Sequence, residues 1–207
     1  MQTQATAQTA YPTYAANVEV TFDGTPAALL WVQDAQINAV APWSLRPGQT
    51  TQVCVSYNNA NTNCLAWPVV QTAPAVFTVD GTHAAALNQD GSINSANNPA
   101  AVGSIVSVWA TGLGPIAPPQ ADGTLVEFPL PNNVLAVGVT ASYPLGIPNP
   151  VPENEPFAVS YAGPAPYLIA GASQINFQVG SFPSYGAIYV TLPSSQSPGF
   201  EVYIAGQ

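Results

Sequence analysis

The stretch Ser104-Ile105-Val106-Ser107-Val108-Trp109 is short, rich in β-branched residues, largely alternating, and bounded by Gly103 and Gly112. Val and Ile lose rotamer freedom on a helix but fit a pleated surface, so such a run reads as a strand. Four more runs carry the same signature: Val18-Glu19-Val20-Thr21-Phe22, Thr51-Gln52-Val53-Cys54-Val55-Ser56-Tyr57, Val137-Gly138-Val139-Thr140 and Ala187-Ile188-Tyr189-Val190-Thr191-Leu192. No window of about 12 residues holds a 3.6-residue apolar stripe free of Pro or Gly, which break or weaken helix interiors. The class is therefore all-β, and punctuation every 8 to 12 residues or so favours sandwiches or small barrels over a propeller.

An internal repeat divides the chain. Leu30-Trp31-Val32-Gln33-Asp34-Ala35-Gln36-Ile37-Asn38-Ala39-Val40 aligns with Leu168-Ile169-Ala170-Gly171-Ala172-Ser173-Gln174-Ile175-Asn176-Phe177-Gln178-Val179, sharing Gln-Ile-Asn and, with one extra residue, the closing Val. Each copy leads through a Pro-containing turn, 42–48 or 180–185, into further strand runs. This predicts two tandem Ig-like β-sandwich domains, 11–78 and 79–207, after a polar segment at 1–10. The boundary falls near residues 72–82.

The two units are unequal at their starts. Before its Val137 run the second has the Ser104–Trp109 run and a Gly/Pro loop through Gly112, Gly114, Pro115, Pro118 and Pro119. Before the matching Val18 run the first has only 17 residues, mostly polar Gln, Thr and Ala. The first domain reads as lacking its opening strand. That would leave backbone N–H and C=O groups unpaired beside apolar side chains until a strand from elsewhere joins them. The β-compatible run Gln2, Thr3, Gln4, Ala5, Thr6, Ala7, Gln8, Thr9 and Ala10 is the candidate donor strand, either within its own chain or in another subunit.

Ten acidic residues against one basic residue give a net charge of −9, with only 5% of the chain charged. Nucleic-acid binding depends on many Lys and Arg contacts to phosphate, so nucleic acid and anionic membrane are excluded as partners. No apolar run approaches the roughly 18 residues of a spanning helix, so membrane insertion is not expected. Residues 1–10 lack the basic and apolar regions of a signal peptide, and any secretion signal is expected to have been cleaved or carried on a longer precursor. With at most one or two ion pairs available, little stability can depend on ionised carboxylates, which predicts a fold that survives at pH 3.

Cys54 and Cys64 flank Asn58-Asn59-Ala60-Asn61-Thr62-Asn63. If the segments on either side form a hairpin whose paired residue numbers sum to 118, the two cysteines face each other within disulfide reach. A disulfide implies an oxidising compartment; two buried free thiols are the alternative. With a single His and no second Cys pair, zinc is the poorer reading.

Catalytic chemistry finds little material. His83 lies in the turn-like Asp80-Gly81-Thr82-His83, and the chain has no Gly-x-Ser-x-Gly nucleophile elbow. Glu153 and Glu155, between Pro152 and Pro156, are the closest carboxylate pair but read as a solvated edge. No enzyme is expected. Asn88, Asp90 and Asn94, with Gly91 and Ser92 between, offer alternating oxygens in the manner of a calcium loop, yet lack the closing Glu and also read as an Asp-Gly turn. No other cofactor is implied. Trp43 and Trp67, beside Pro42 and Pro68, are expected to be exposed and could form an aromatic platform for a glycan, whereas Trp109 is expected in the core.

Three segments together resemble the Solibacter-type uncharacterised C-terminal domain family: residues 26–42, Ala84-Ala85-Ala86-Leu87-Asn88-Gln89-Asp90-Gly91-Ser92-Ile93-Asn94, and the run from Gly103 to Gly114. The resemblance covers roughly residues 11–207. It implies tandem Ig-like sandwiches in a secreted or surface protein of soil bacteria, with no established activity and no catalytic residues to carry over. The absent opening strand and the Pro-rich insertion at 142–156 depart from the family pattern. The expected role is a non-catalytic extracellular or cell-surface structural module. It would be a surface or fibre subunit, a homo-oligomer joined by β-strand complementation; the alternative is a carbohydrate-binding or adhesive module.

Overall fold

The computed structural model describes residues 3–4, 10–142, 155–180 and 187–206. Within these the chain is all-β, with no helix. It divides into two compact units that are not contiguous in sequence. Unit 1 is Met1–Gln71 with Pro118–Leu130 and Pro166–Gly171; unit 2 is Thr72–Ala117 with Pro131–Ala165 and Ala172–Gln207. Unit 1 thus takes in two loops from the second half of the chain.

Unit 1 contains β1 (Thr3–Gln4), β2 (Tyr14–Ala15), β3 (Val18–Phe22), β4 (Thr25–Pro26), β5 (Ala28–Gln33), β6 (Gln36–Val40), β7 (Thr50–Tyr57), β8 (Ala60–Asn61) and β9 (Leu65–Pro68). One sheet runs β1-β5-β6, the other β2-β3-β7-β8, with β4 also on β3 and β9 also on β7. Its core is small: Val18, Val20, Ala27, Leu29 and Val32, flanked by half-buried Phe22, Ile37, Val53 and Val55. The turn between β7 and β8 is Asn58-Asn59, both with positive φ, which Asn tolerates better than other residues bearing a side chain and which suits a two-residue hairpin.

The register between β7 and β9 runs from Thr50↔Pro68 to Val53↔Leu65, every pair summing to 118. The next rung is Cys54 and Cys64, joined as a disulfide with Cα atoms 4.3 Å apart. The described residues hold no free cysteine.

Unit 2 contains β10 (Ala75–Val76), β11 (Ala86–Asn88), β12 (Ile105–Thr111), β13 (Ile116–Ala117), β14 (Asn132–Asn133), β15 (Gly138–Ser142), β16 (Glu155–Phe157), β17 (Val159–Pro164), β18 (Ala172–Gln178), β19 (Ala187–Leu192) and β20 (Ser195–Gln196). Its main sheets run β10-β12-β18-β17, with β11 also on β12, and β16-β15-β19-β20. Strands β12, β18 and β19 alternate strictly between buried and half-buried residues along most of their length, the period-2 signature of a sheet with one face on a core. Val106, Val108, Ile175, Phe177, Val139, Ile188 and Val190 supply that core.

Trp109 corrects the sequence reading. It sits on the face of β12 opposite Val106 and Val108, paired with Gln174, and is only half-buried. The adjacent apolar pair Ile105-Val106 disguises which phase of the alternation points inward.

The repeat is structural in its second half. Both Gln-Ile-Asn copies are strands, β6 and β18, and each carries the same side-chain bond along one face: the Gln36 Nε2 donates to Asn38 Oδ1 at 2.7 Å, and the Gln174 Nε2 to Asn176 Oδ1 at 2.9 Å. The first halves part company. Residues 30–33 belong to β5, whereas 168–171 form only isolated bridging contacts such as Leu125↔Ile169 and fall in unit 1.

Candidate functional site

In unit 2, β18 is flanked on both edges, by β12 through seven register pairs from Ile105↔Gln178 to Thr111↔Ala172, and by β17. Its repeat counterpart β6 pairs with β5 alone; among the described residues nothing pairs with the other edge. An open edge carries a row of backbone donors and acceptors available to another strand.

The sequence-predicted donor residues meet unit 1 elsewhere. Thr3 and Gln4 pair with Val32 and Trp31, on the edge of β5 away from β6. Ala10 forms an isolated bridge with Thr124. Gln2, Ala5, Thr6, Ala7, Gln8 and Thr9 lie outside the described residues.

A second feature lies on β9. Leu65 stands opposite Val53, and Trp67 opposite Thr51, so both share the face of β7 that turns to the core, where Val53 packs against the cluster and Thr51 is buried. Yet Leu65 is 66% exposed and Trp67 63%. Inward-facing apolar side chains left this open mark a sheet whose cover stops short.

The order of the strands explains why. The Leu29 N–H donates to the Pro12 carbonyl at 2.8 Å at the outer edge of β5, and the chain then passes directly into β2 at the outer edge of β3. Those two edges therefore lie on the same side. Counting inward from that side, β5 and β6 stand in step with β3 and β7, and the position beyond β6 stands in step with β9. Unit 2 has the same strand order within its sheets, β12-β18-β17 and β20-β19-β15, and there β12 holds the position beside β18.

The other predicted sites are placed as follows. Trp43 is 37% exposed and its backbone N–H donates to Asp122 Oδ1 at 2.8 Å; it makes no ring contact with Trp67. Asn88, Asp90 and Asn94 spend their side chains on Ser92, on the Asn88–Asn94 pair and on the backbone. The Asn94 Nδ2 donates to Asn88 Oδ1 at 2.9 Å and to the Tyr203 carbonyl at 2.7 Å, while the Asn94 Oδ1 accepts the Tyr203 N–H at 2.8 Å. Asp90 Oδ1 accepts from the Ser92 hydroxyl and N–H, and the hydroxyl holds its carboxyl below the usual range. These bonds are those of a capped turn tied to the end of the chain. Among the described residues no three His, Cys, Asp or Glu side chains group as metal ligands. Glu153 lies outside the described residues.

Sequence reasoning missed an exposed aromatic pair in unit 1. Phe128 and Tyr167 meet edge to face with centroids 6.1 Å apart, 65% and 67% exposed. Tyr167 has φ +61°, a conformation uncommon for a bulky side chain. No local sequence signal marks either residue.

His83 is half-buried, stacked on Tyr203 at 4.2 Å with the rings 2° from parallel. Its Nδ1 is 2.7 Å from Asp80 Oδ2 and its Nε2 is 3.6 Å from Glu201 Oε2. Asp80 also accepts the backbone N–H groups of His83 and Thr82 at 2.7 and 2.9 Å, and these bonds, led by the His83 N–H, hold its carboxyl down to about 2. A carboxyl with a lowered folded-state pKa contributes stability above the unfolded value and loses it as pH falls through the folded one. For Asp80 that window runs from about 4 to about 2. Near-UV circular dichroism is therefore expected to be unchanged from pH 7 to pH 3, with the melting temperature falling below pH 4, most steeply midway through that window, and levelling off below pH 2. Asp80→Asn should flatten that fall; loss of the near-UV signal above pH 3 would contradict the expectation.

Comparison with models of known protein families, with curated proteins and with solved structures finds no match to this chain.

Proposed function

We propose that this chain is a non-catalytic structural module of the extracellular space or cell surface. In this reading it is a surface or fibre subunit of two Ig-like sandwiches, related to the Solibacter-type family it resembles, that assembles by β-strand complementation. The observation that carries the reading is the edge of β6 that has no partner among the described residues, set against its counterpart β18 with strands on both sides. A disulfide, the absence among the described residues of a helix able to cross a membrane, and a nearly uncharged surface rich in Gln, Asn and Thr support it further. Such surfaces lose little on desolvation once their hydrogen bonds are matched.

The exposure of Trp67, with Trp43 partly exposed, favours the second reading, a carbohydrate-binding or adhesive module. Negative-stain microscopy and a glycan array separate the two. Regular filaments or closed oligomers are expected from the first. A monodisperse monomer that binds glycans would replace it with the second.

A further inference from the structure

Resting on that reading, we infer that the acceptor is the slot beside β6 and above Leu65 and Trp67, and that its occupant is segment 1–10 of a second copy of this chain. Two independent features of unit 1 converge on the slot: a strand edge with no partner among the described residues, and two large inward-facing side chains more than 60% exposed. A single added strand satisfies both at once. Its backbone would complete the β6 ladder, and its inner face would cover β9.

The chemistry of segment 1–10 suits the slot. It has no charge and no Pro, and it alternates Gln2, Gln4, Thr6 and Gln8 with Thr3, Ala5, Ala7 and Thr9. Beside β6, the first set adjoins Gln36 and Asn38, whose outward amides are already bonded to each other, and extends a row of side-chain amides of the kind that stabilises stacked strands. The second set is small, as needed above the bulky Leu65 and Trp67 in an interdigitating core. The counterpart position in unit 2 is filled by seven residues of β12, and segment 1–10 is long enough to match it.

Geometry selects a second copy over the same chain. Ala10 and Pro12 are held on the far edge, by Thr124 and by the Leu29 N–H. From there the slot lies across β5 and β6, about 14 Å at the usual strand spacing, and crossing it uses four or five residues at roughly 3.3 Å each. Too few of residues 1–9 would remain for a strand of seven. Donated to a neighbour, the segment gives up the Thr3 and Gln4 pairs on β5 and gains a full strand. Donor and acceptor are different patches, so copies join head to tail into a ring or an open fibre.

The test is sedimentation velocity of the full chain over a range of concentrations, beside the double variant L65S/W67S and a variant lacking residues 2–9, with hydrogen exchange read at Gln36–Val40. The wild type is expected to assemble, and assembly to slow exchange at Gln36–Val40 at least tenfold. Both variants are expected to sediment as monomers. L65S/W67S should keep the melting temperature of the wild-type monomer, because both side chains are already exposed there. A wild type that stays monomeric at every concentration would overturn the assembly reading and this inference together. Assembly undiminished in L65S/W67S would overturn the slot and leave the reading standing. Assembly undiminished in the deletion would overturn segment 1–10 as occupant. Slow exchange at Gln36–Val40 in a monomer would show the slot filled from within the chain and overturn exchange between copies.

Discussion

Phe177→Ala is expected to destabilise unit 2 by about 4 kcal/mol and to lower its melting temperature by about 15 °C. Phe177 is fully buried on β18, the strand with neighbours on both edges, and its ring stacks on Phe157 with centroids 5.6 Å apart and planes 8° from parallel. Val106 stands directly opposite on β12 and is itself fully buried. Truncation therefore removes both the transfer free energy of a whole aromatic side chain and the contacts of a layer whose backbones, pinned by ladders on each side, cannot collapse into the void. Phe177→Leu, which keeps most of the volume, should recover more than half of the loss. Thermal melts of the three proteins check this. A loss below about 1 kcal/mol for the alanine variant would mean that the layer relaxes freely, contrary to its burial.

Gly112→Ala is expected to cost about 3 kcal/mol or more, a large effect for one added methyl group. A Cβ at Gly112 would lie 1.9 Å from the Ala73 carbonyl oxygen and 2.5 Å from its carbon, and the residue has φ +75°. The Ala73 N–H also donates to the Gly112 carbonyl at 2.9 Å, so the two backbones are held together where a side chain would force them apart. The left-handed conformation costs a residue with a side chain roughly 1–2 kcal/mol, and the clash with fixed backbone adds to that. Gly91→Ala is the control: Gly91 has φ +83° but nothing within 4 Å of its Cβ position. It should show the conformational cost alone, about 1 kcal/mol. Denaturant melts giving equal losses for the two variants would rule out the close approach at Gly112.

The disulfide was legible because a hairpin register is arithmetic. Once Thr51 to Tyr57 is taken as a strand, the pairing that sets Cys54 against Cys64 also sets Val53 against Leu65, and both hold. The strand character of Ile105–Thr111, Val18–Phe22 and Ala187–Leu192 was legible for the same local reason. Trp109 was not, because two consecutive apolar residues leave the phase of the alternation open, and only the layers packed against β12 decide it. Nor did the repeat foretell that residues 166–171 fall in unit 1, since strand propensity does not say which sheet a loop will join.

The candidate site divides along the same line. The shorter run of chain ahead of Val18–Phe22 could be counted in the sequence. Which edge stands open could not, because pairing on β5 and pairing on β6 look the same to a polar segment in isolation. Likewise, the exposure of Trp67 could be expected from its place beside Pro68, but nothing near it or Leu65 in sequence says that both lie on the inward face of a sheet. The sequence by itself determined the all-β class, the hairpin with its disulfide, and the net charge of −9, since alternation, ladder arithmetic and net charge are properties of neighbouring residues or of simple sums. Only the tertiary structure decided which face of each strand is buried and which edge has no partner among the described residues, because burial and backbone pairing are settled between segments tens of residues apart.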